Sequence, residues 1–142
     1  MKVYIDTNIL LDWIVSNRPC KELSETILSA AKKKNFKLLV STQSILDAHY
    51  TVRKMGVDYE SFKQYINQLL LFAEITAIDW LDLSWALTYH SEDLEDDAQY
   101  ASAYNAVCDY FITRDKRLKG KNGLYNPMTV ISPEEFVAQM TS

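Results

Sequence analysis

The chain contains few of the residues that interrupt or cross-link a fold. Its 142 residues include three glycines, three prolines and two cysteines. Because domain linkers are often rich in glycine and proline, this scarcity leaves no candidate linker and predicts a single domain over residues 1–142. Cys20 and Cys108 are too few for a disulfide scaffold and are not spaced as a metal-binding pair, which indicates a reducing compartment.

Long apolar runs and a strong excess of positive charge are also missing. No stretch approaches the roughly 20 apolar residues that a bilayer crossing requires. Asp6 and Asp12 interrupt the apolar start of the chain and no small-residue cleavage site follows, so this segment does not resemble a signal peptide. We expect a cytoplasmic protein with no membrane contact. The formal net charge of −4 gives no overall attraction for phosphate.

Short apolar runs alternate with longer amphipathic segments. Between the short runs, apolar residues recur at helical spacings, as at Leu23, Ile27 and Ala31. The runs of strand length, most of them β-branched or aromatic, cover residues 2–5, 37–40, 75–78, 110–112 and 129–131. Strands separated by helices indicate parallel pairing, because a parallel connection needs a long crossover. The sequence therefore predicts a three-layer α/β/α sandwich with a central, mostly parallel sheet.

Four aspartates lie near the ends of the predicted strands. Asp6 directly follows the first strand, Asp115 follows the fourth, Asp47 lies early in the helix after the second, and Asp96 begins the helix before the fourth. Ligands of open parallel sheets bind outside the carboxyl ends of the strands, so these carboxylates are expected to converge. Two carboxylates about 4 Å apart repel by roughly 4 kcal/mol at an effective dielectric near 20. Hard divalent cations with oxygen ligands would neutralise such a cluster.

A group of basic residues surrounds the last of these aspartates. A positive rim beside an acidic, metal-filled pocket suits a phosphodiester, because the rim would hold phosphates while the metals engage the one to be cleaved. A solvated loop is the alternative for any single member of the group. The five cations lie within positions 114 to 121: Arg114, Lys116, Arg117, Lys119 and Lys121.

Three segments resemble a known family. They are VYIDTNILLDWIVSNRP at the start, SILDAHYTVRK in the middle, and DLEDDAQYASAYNAVCDYFITRD, the most specific of the three. They are similar to the successive acidic motifs of PIN-domain ribonucleases, which include VapC-like toxins of type II toxin–antitoxin pairs. The resemblance extends from Met1 to about Phe136 and implies a metal-dependent endoribonuclease that cleaves single-stranded or structured RNA with a metal-activated water.

The same resemblance implies roles for particular residues. Asp6, Asp96 and Asp115 would hold one or two Mg²⁺ or Mn²⁺ ions. Asp47 occupies the second acidic position, where many relatives carry glutamate, and would act either directly or through water. The resemblance also implies a homodimer and, for a toxin, a cognate antitoxin. Supporting hydroxyl and amide groups that would orient carboxylates or water are expected from Thr7, Asn8 and Thr113.

The acidic run SEDLEDDAQY has five carboxylates in six consecutive positions. Negative charge favours a helix N-terminus, yet one or two carboxylates would suffice for that. Positions 93, 96 and 97 share one helix face, whereas position 95 points elsewhere. We therefore predict Asp96 as the ligand, with Asp97 as its reserve and Asp93 in a supporting position. Glu92 and Glu95 are predicted to be solvated, as is Asp97 unless it replaces Asp96.

Three other interpretations remain open at this point. Asp6 and Thr7 are ordinary N-cap residues, and capping the following helix would be a sufficient role for them. A catalytically inactive PIN-like RNA-binding module would keep the fold without turnover. A small-molecule phosphatase-like metal hydrolase would also place an aspartate after the first strand, but Asn8 stands where such an enzyme needs a second aspartate.

Overall fold

The computed structural model describes residues 1–89, 92–119 and 128–141. Its centre is a five-stranded sheet in the order β3-β2-β1-β4-β5, and every neighbouring pair is parallel. The strands are β1 (Lys2–Ile5), β2 (Lys37–Ser41), β3 (Ala73–Thr76), β4 (Tyr110–Ile112) and β5 (Thr129–Ile131).

Helices connect the strands and cover the sheet. They are α1 (Thr7–Ile14), α2 (Lys21–Lys32), α3 (Thr42–Lys54), α4 (Tyr59–Leu69), α5 (Trp80–Ala86), α6 (Leu94–Asn105), α7 (Lys116–Lys119) and α8 (Pro133–Thr141). Within the described ranges, no helix is both long enough and apolar enough to cross a membrane.

The central strand β1 shows why the molecule has three layers. Successive side chains of a strand point to opposite faces, so Val3 and Ile5 enter one apolar cluster while Tyr4 enters another. All three are fully buried. The first cluster receives side chains from α1, α2, α3, α4 and α8, and the second receives them from α6 and α7, with α5 packed on α6. The predicted α/β/α sandwich is confirmed, and its sheet is entirely parallel.

The third strand begins two residues earlier than predicted. The sequence pattern indicated residues 75–78, whereas β3 pairs Ala73 with Leu38 and Thr76 with Ser41. Because β2 ends at Ser41, where α3 begins, residues 77 and 78 have no neighbouring strand to pair with. Pairing with the neighbour, more than the position of the apolar residues, sets the limits of this strand.

Candidate active site

The topology opens a crevice at the carboxyl edge of the sheet. The chain builds β1, β2 and β3 outward in one direction and then adds β4 and β5 on the other side of β1. Parallel sheets bind ligands where the strand order reverses in this way. Ile5 of β1 pairs with Ile112 of β4, so Asp6 and Thr113 leave the sheet side by side.

Asp6 lies at the centre of this crevice and is held by three donors. Its side chain is the N-cap of α1, with Oδ1 accepting a hydrogen bond of 2.7 Å from the backbone N–H of Thr7. Oδ2 accepts a bond of 2.7 Å from Thr113 Oγ1 and a longer one of 3.3 Å from Asn8 Nδ2. The capping interpretation of Asp6 is therefore correct. Capping does not exclude a second role, because carboxylate oxygens have several lone pairs.

The charge on Asp6 is unfavourable in the absence of a cation. Burial raises the pKa of this carboxyl above its usual value, and the nearby charges of Asp115 and Asp93 raise it further. The hydrogen bonds from Thr113 and Thr7 act in the opposite direction. A buried acid with raised pKa among other acids is typical of functional sites.

Asp96 and Asp115 complete the predicted trio. Asp93 is the N-cap of α6 and accepts a hydrogen bond of 3.1 Å from the backbone N–H of Asp96. Partial burial raises the pKa of Asp96, and so do a hydrogen bond with Asp115 and the charges of Asp6 and Asp93. The pKa of Asp115 is lowered, mainly because Arg117 hydrogen-bonds to it. The contact between Asp96 and Asp115 therefore raises the pKa of Asp96 and lowers that of Asp115.

Arg117 lies across the opening of this acidic group. Its Nη2 is 2.8 Å from Asp115 Oδ2, 3.2 Å from Asp96 Oδ2 and 3.7 Å from Asp93 Oδ2. Its backbone N–H and its Nε also donate to Asp115 Oδ1, at 3.0 and 3.1 Å. These contacts raise the pKa of Arg117, first through the hydrogen bond with Asp115. One guanidinium thus interacts with three carboxylates of the candidate site.

A second acidic pair stands beside the trio. The Glu95 carboxyl hydrogen-bonds with Asp47 of α3, and this contact, followed by burial, raises the pKa of Glu95 to about 7. Asp47 Oδ1 accepts a hydrogen bond of 2.9 Å from Gln43 Nε2. A buried carboxylate oxygen is costly when it has no donor, so a proton shared with Glu95, or a cation, would be favourable at Asp47 Oδ2.

Glu95 is exposed, as predicted, and its carboxyl also contacts Asp47, which the sequence did not predict. Asp93 caps α6, so Glu95 and Asp96 both lie in the first turn of this helix. The predicted solvation of Asp97 is wrong, because this residue is 2% exposed. Its role as a reserve ligand stays a prediction.

The basic residues are distributed differently. Arg114 is half-buried and turned toward Asp12, at 2.8 Å. Lys119 is paired with Glu135. Lys116 is exposed and lines a cleft of about 490 Å³ that also borders Asp115. Lys121 lies outside the described residues.

A buried chain of hydrogen bonds forms the floor of the site. Tyr4 donates to Gln99 Oε1 at 2.6 Å, and Ser41 donates to the same atom at 3.1 Å. Gln99 Nε2 donates to Ser44 Oγ at 3.0 Å, and Thr7 Oγ1 reaches that hydroxyl at 2.9 Å. This chain connects β1, β2, α1, α3 and α6 beneath the acids. Sequence reasoning missed it, although a glutamine among alanines in a buried helix was a signal.

The model of the PIN domain family matches residues 2–117, most of the chain. The chain belongs to the PIN-domain family. This is a family of nucleases, hydrolases that act on phosphodiester bonds. No curated protein sequence matches it.

Three solved structures share this PIN fold. VapC20 of Mycobacterium tuberculosis, a toxin that cleaves the sarcin-ricin loop, is similar with 9% identity and a TM-score of 0.69, covering 84% of this chain and 95% of its own. A toxin–antitoxin complex from Klebsiella pneumoniae has 20% identity and a TM-score of 0.64, covering 92% and 97%. VapBC2 of Rickettsia felis, bound to a DNA fragment from its promoter, has 13% identity and a TM-score of 0.66, covering 93% and 98%.

The donor set of this PIN domain fits a hard divalent cation. In residues 1–89, 92–119 and 128–141, no three acidic, histidine or cysteine side chains stand close enough together to bind one ion without moving. The acids nevertheless supply only oxygen donors, which Mg²⁺ and Mn²⁺ prefer. The raised pKa of Asp6 and Asp96 indicates that neutralisation by a proton or a cation is favoured here.

The two cysteines of the PIN domain lie in different surroundings. Cys20 is partly exposed and lines the same cleft as Lys116 and Asp115. Cys108 is buried behind β4, and burial raises the pKa of its thiol to about 12. Both are free thiols.

Proposed function

We propose that this PIN-domain protein is a metal-dependent endoribonuclease, acting as the toxin of a toxin–antitoxin pair. The observation that supports the proposal is a group of acids at the carboxyl edge of the sheet, where Arg117 contacts both Asp96 and Asp115 and the charge of Asp6 raises the pKa of Asp96. The raised pKa values of Asp6 and Asp96 support a place where a proton or a cation is favourable. We propose further that residues 1–142 form one nuclease domain.

Asp6, Asp96 and Asp115 would hold one or two Mg²⁺ or Mn²⁺ ions. Such an ion, when bound, supplies a water of lowered pKa and stabilises charge on the attacked phosphate and the leaving oxygen. Thr113 and Asn8 hold the oxygens of Asp6 in place by hydrogen bonds. Asp47, whose carboxyl contacts that of Glu95, would bind an ion or its water.

The substrate would enter past the basic residues at the opening. Lys116, Arg117 and Lys119 lie on α7, directly after Asp115, where they would contact phosphates next to the one that is cleaved. Arg117 already contacts carboxylates of the site, so its guanidinium would be within reach of a phosphate there. We assign it to the substrate rather than to the fold because its side chain is 68% exposed.

Protein partners follow from the same proposal. The complexes from Klebsiella pneumoniae and Rickettsia felis contain antitoxins with toxins of this fold, which supports an antitoxin partner here. Exposed apolar side chains, among them Trp80, Leu81 and Leu87, offer surface for a partner or for a second copy in a homodimer. A cytoplasmic location belongs to this proposal as well.

The deciding experiment is a nuclease assay on purified protein with single-stranded and structured RNA. We expect cleavage with Mn²⁺ or Mg²⁺, inhibition by EDTA and loss of cleavage in Asp115→Asn. Asp79→Asn is the matched control, since Asp79 is an N-cap of α5 that is not among the acids of the site. RNA binding without cleavage would favour the inactive module. Hydrolysis of a phosphomonoester with every RNA left intact would favour the phosphatase.

A further inference from the structure

Asp12 is a fully buried carboxylate that the proposed reaction does not use. It lies in α1, six residues after Asp6, and its side chain is 0% exposed. Two arginines surround it. Arg18 Nε donates to Oδ1 at 3.0 Å, and Arg114 Nη2 donates to the same oxygen at 3.1 Å. A buried charge is costly unless it is paired, so the Asp12 carboxylate needs its arginine partners in the folded protein.

The contact with Arg114 is the closer of the two pairs. Arg114 Nε lies 2.8 Å from Asp12 Oδ2 as an ion pair, outside hydrogen-bond geometry. Arg114 comes from the loop after β4, between Thr113 and Asp115. Its guanidinium therefore crosses from that loop to the far end of α1. Its side chain is 32% exposed, whereas the carboxylate that it contacts is fully buried.

Helix α1 holds the loop after β4 at three successive points. Asp6 accepts a hydrogen bond from the Thr113 hydroxyl, Asn8 Oδ1 accepts one of 3.4 Å from the backbone N–H of Arg114, and Asp12 binds the Arg114 side chain. The backbone N–H of Asp115 then donates to Thr113 Oγ1 at 3.0 Å. The loop that carries Asp115 is thus fastened to the helix that carries Asp6.

We propose that Asp12 is a positioning residue: through Arg114 it fixes the distance between Asp6 and Asp115 across the crevice. The contribution of Asp12 to metal binding and cleavage rests on the proposed function, whereas its contact with the loop after β4 does not. Arg114 accordingly contributes to the geometry of the site through its pairing with Asp12.

A purely structural role for Asp12 can be distinguished from a positioning role by experiment. Arg18 provides the matched control. Arg18 pairs with the same carboxylate but belongs to the segment between α1 and α2. Arg18→Ala and Arg114→Ala each leave Asp12 with one arginine. If Asp12 only stabilises the fold, the two variants should behave alike; if it positions Asp115, only Arg114→Ala should disturb the site.

The first measurement is native-state hydrogen exchange, which needs no metal. We expect amide exchange in residues 113–118 to accelerate by about tenfold or more in Arg114→Ala, and by less than about twofold in Arg18→Ala, because only the former frees the loop. Arg114→Lys, which keeps the charge but loses the planar guanidinium, replaces Arg114→Ala if that variant does not fold. Equal exchange of this segment in the two variants would overturn the proposal.

The second measurement is Mn²⁺ affinity by calorimetry, with cleavage kinetics alongside it. Residues that orient metal ligands typically change affinity by about 10- to 100-fold when replaced, and we expect that loss for Arg114→Lys but not for Arg18→Ala. The decrease should appear in kcat and in the Mn²⁺ requirement, while the salt dependence of RNA binding stays unchanged. Unaltered Mn²⁺ affinity in Arg114→Lys would refute the positioning role. A native protein that neither binds Mn²⁺ nor cleaves RNA would refute the proposed function instead, and hydrogen exchange would still decide whether Asp12 holds the loop.

Discussion

Replacing Asp96 by asparagine should stabilise the metal-free protein at pH 8 and abolish its response to metal. Asp96 lies beside Asp6, Asp93 and Asp115, and its side chain is 20% exposed. One carboxylate pair about 4 Å apart repels by roughly 4 kcal/mol at an effective dielectric near 20. Arg117, at 3.2 Å, offsets much of this repulsion. Asparagine also gives up about 0.3 to 1 kcal/mol of favourable interaction with the α6 dipole.

The repulsion that remains should exceed the loss at the helix end. We expect a net gain of about 1 to 2 kcal/mol, which for a domain of this size raises Tm by roughly 3 to 8 °C. Arg117 keeps Asp115 as a partner at 2.8 Å in the variant, so no charge is left unpaired by the change. In the native protein, by contrast, a cation at about 100 times its Kd should stabilise by about 2.7 kcal/mol.

The pH dependence follows from the direction of the shift. The pKa of Asp96 is raised to about 8 from 3.8, so the folded state binds more protons than the unfolded state between these values. The stability that comes from this proton is fully present below pH 3.8 and is lost as the pH rises through about 8. The advantage of Asp96→Asn should therefore be absent near pH 4 and largest above pH 8.

Thermal unfolding of both proteins in EDTA and in Mn²⁺, at pH 4.5 and pH 8.5, tests this reasoning. Asp58→Asn serves as a control, because Asp58 is an exposed N-cap of α4 whose pKa is lowered by hydrogen bonds from Ser61. It should lose stability without any change in the response to Mn²⁺. An Asp96→Asn protein that melts below the native one in EDTA at pH 8.5, or gains as much from Mn²⁺, would refute the account of the cluster.

Three further outcomes can be checked on the same material. Asp6→Asn should abolish RNA cleavage while RNA binding, measured by fluorescence anisotropy, largely survives; equal loss of both would point to a collapsed fold. Combined replacement of Arg117 and Lys119 by alanine should weaken RNA binding and lower its salt slope by about 0.7 for each lost phosphate contact on a single strand. A salt slope equal to that of the native protein would show that neither Arg117 nor Lys119 contacts RNA phosphates. Glu95→Gln should weaken Mn²⁺ binding in calorimetry, whereas Glu92→Gln, an exposed neighbour, should not.

The sequence predicted those parts of the structure that depend on local pattern. Residues 2–5, 110–112 and 129–131 were placed as strands with their observed limits, because each is a short, mostly apolar run of strand length. The expectation that Asp6, Asp96 and Asp115 lie near one another came from a topological rule about strand ends, and their role as metal ligands stays a prediction. That rule needs only the order of strands and helices, which periodicity reveals.

The parts that could not be predicted depend on contacts between distant residues. Arg114 reaches Asp12 across 102 positions of sequence, so nothing near Arg114 distinguishes it from Lys116, which stays exposed. The contact of Glu95 with Asp47 was missed because the orientation of the first turn of α6 depends on where Asp93 caps the helix, and an acidic run offers several candidates for that cap.

The unequal environments of the two cysteines make the native chain suitable for spectroscopic labelling. Maleimides and related reagents attack the thiolate, so Cys108, buried and with a pKa near 12, should be spared while Cys20 reacts. Cys20 shares its cleft with Asp115 and Lys116. A fluorophore or spin label attached there would report when RNA or an inhibitory protein enters the cleft, without any engineered substitution.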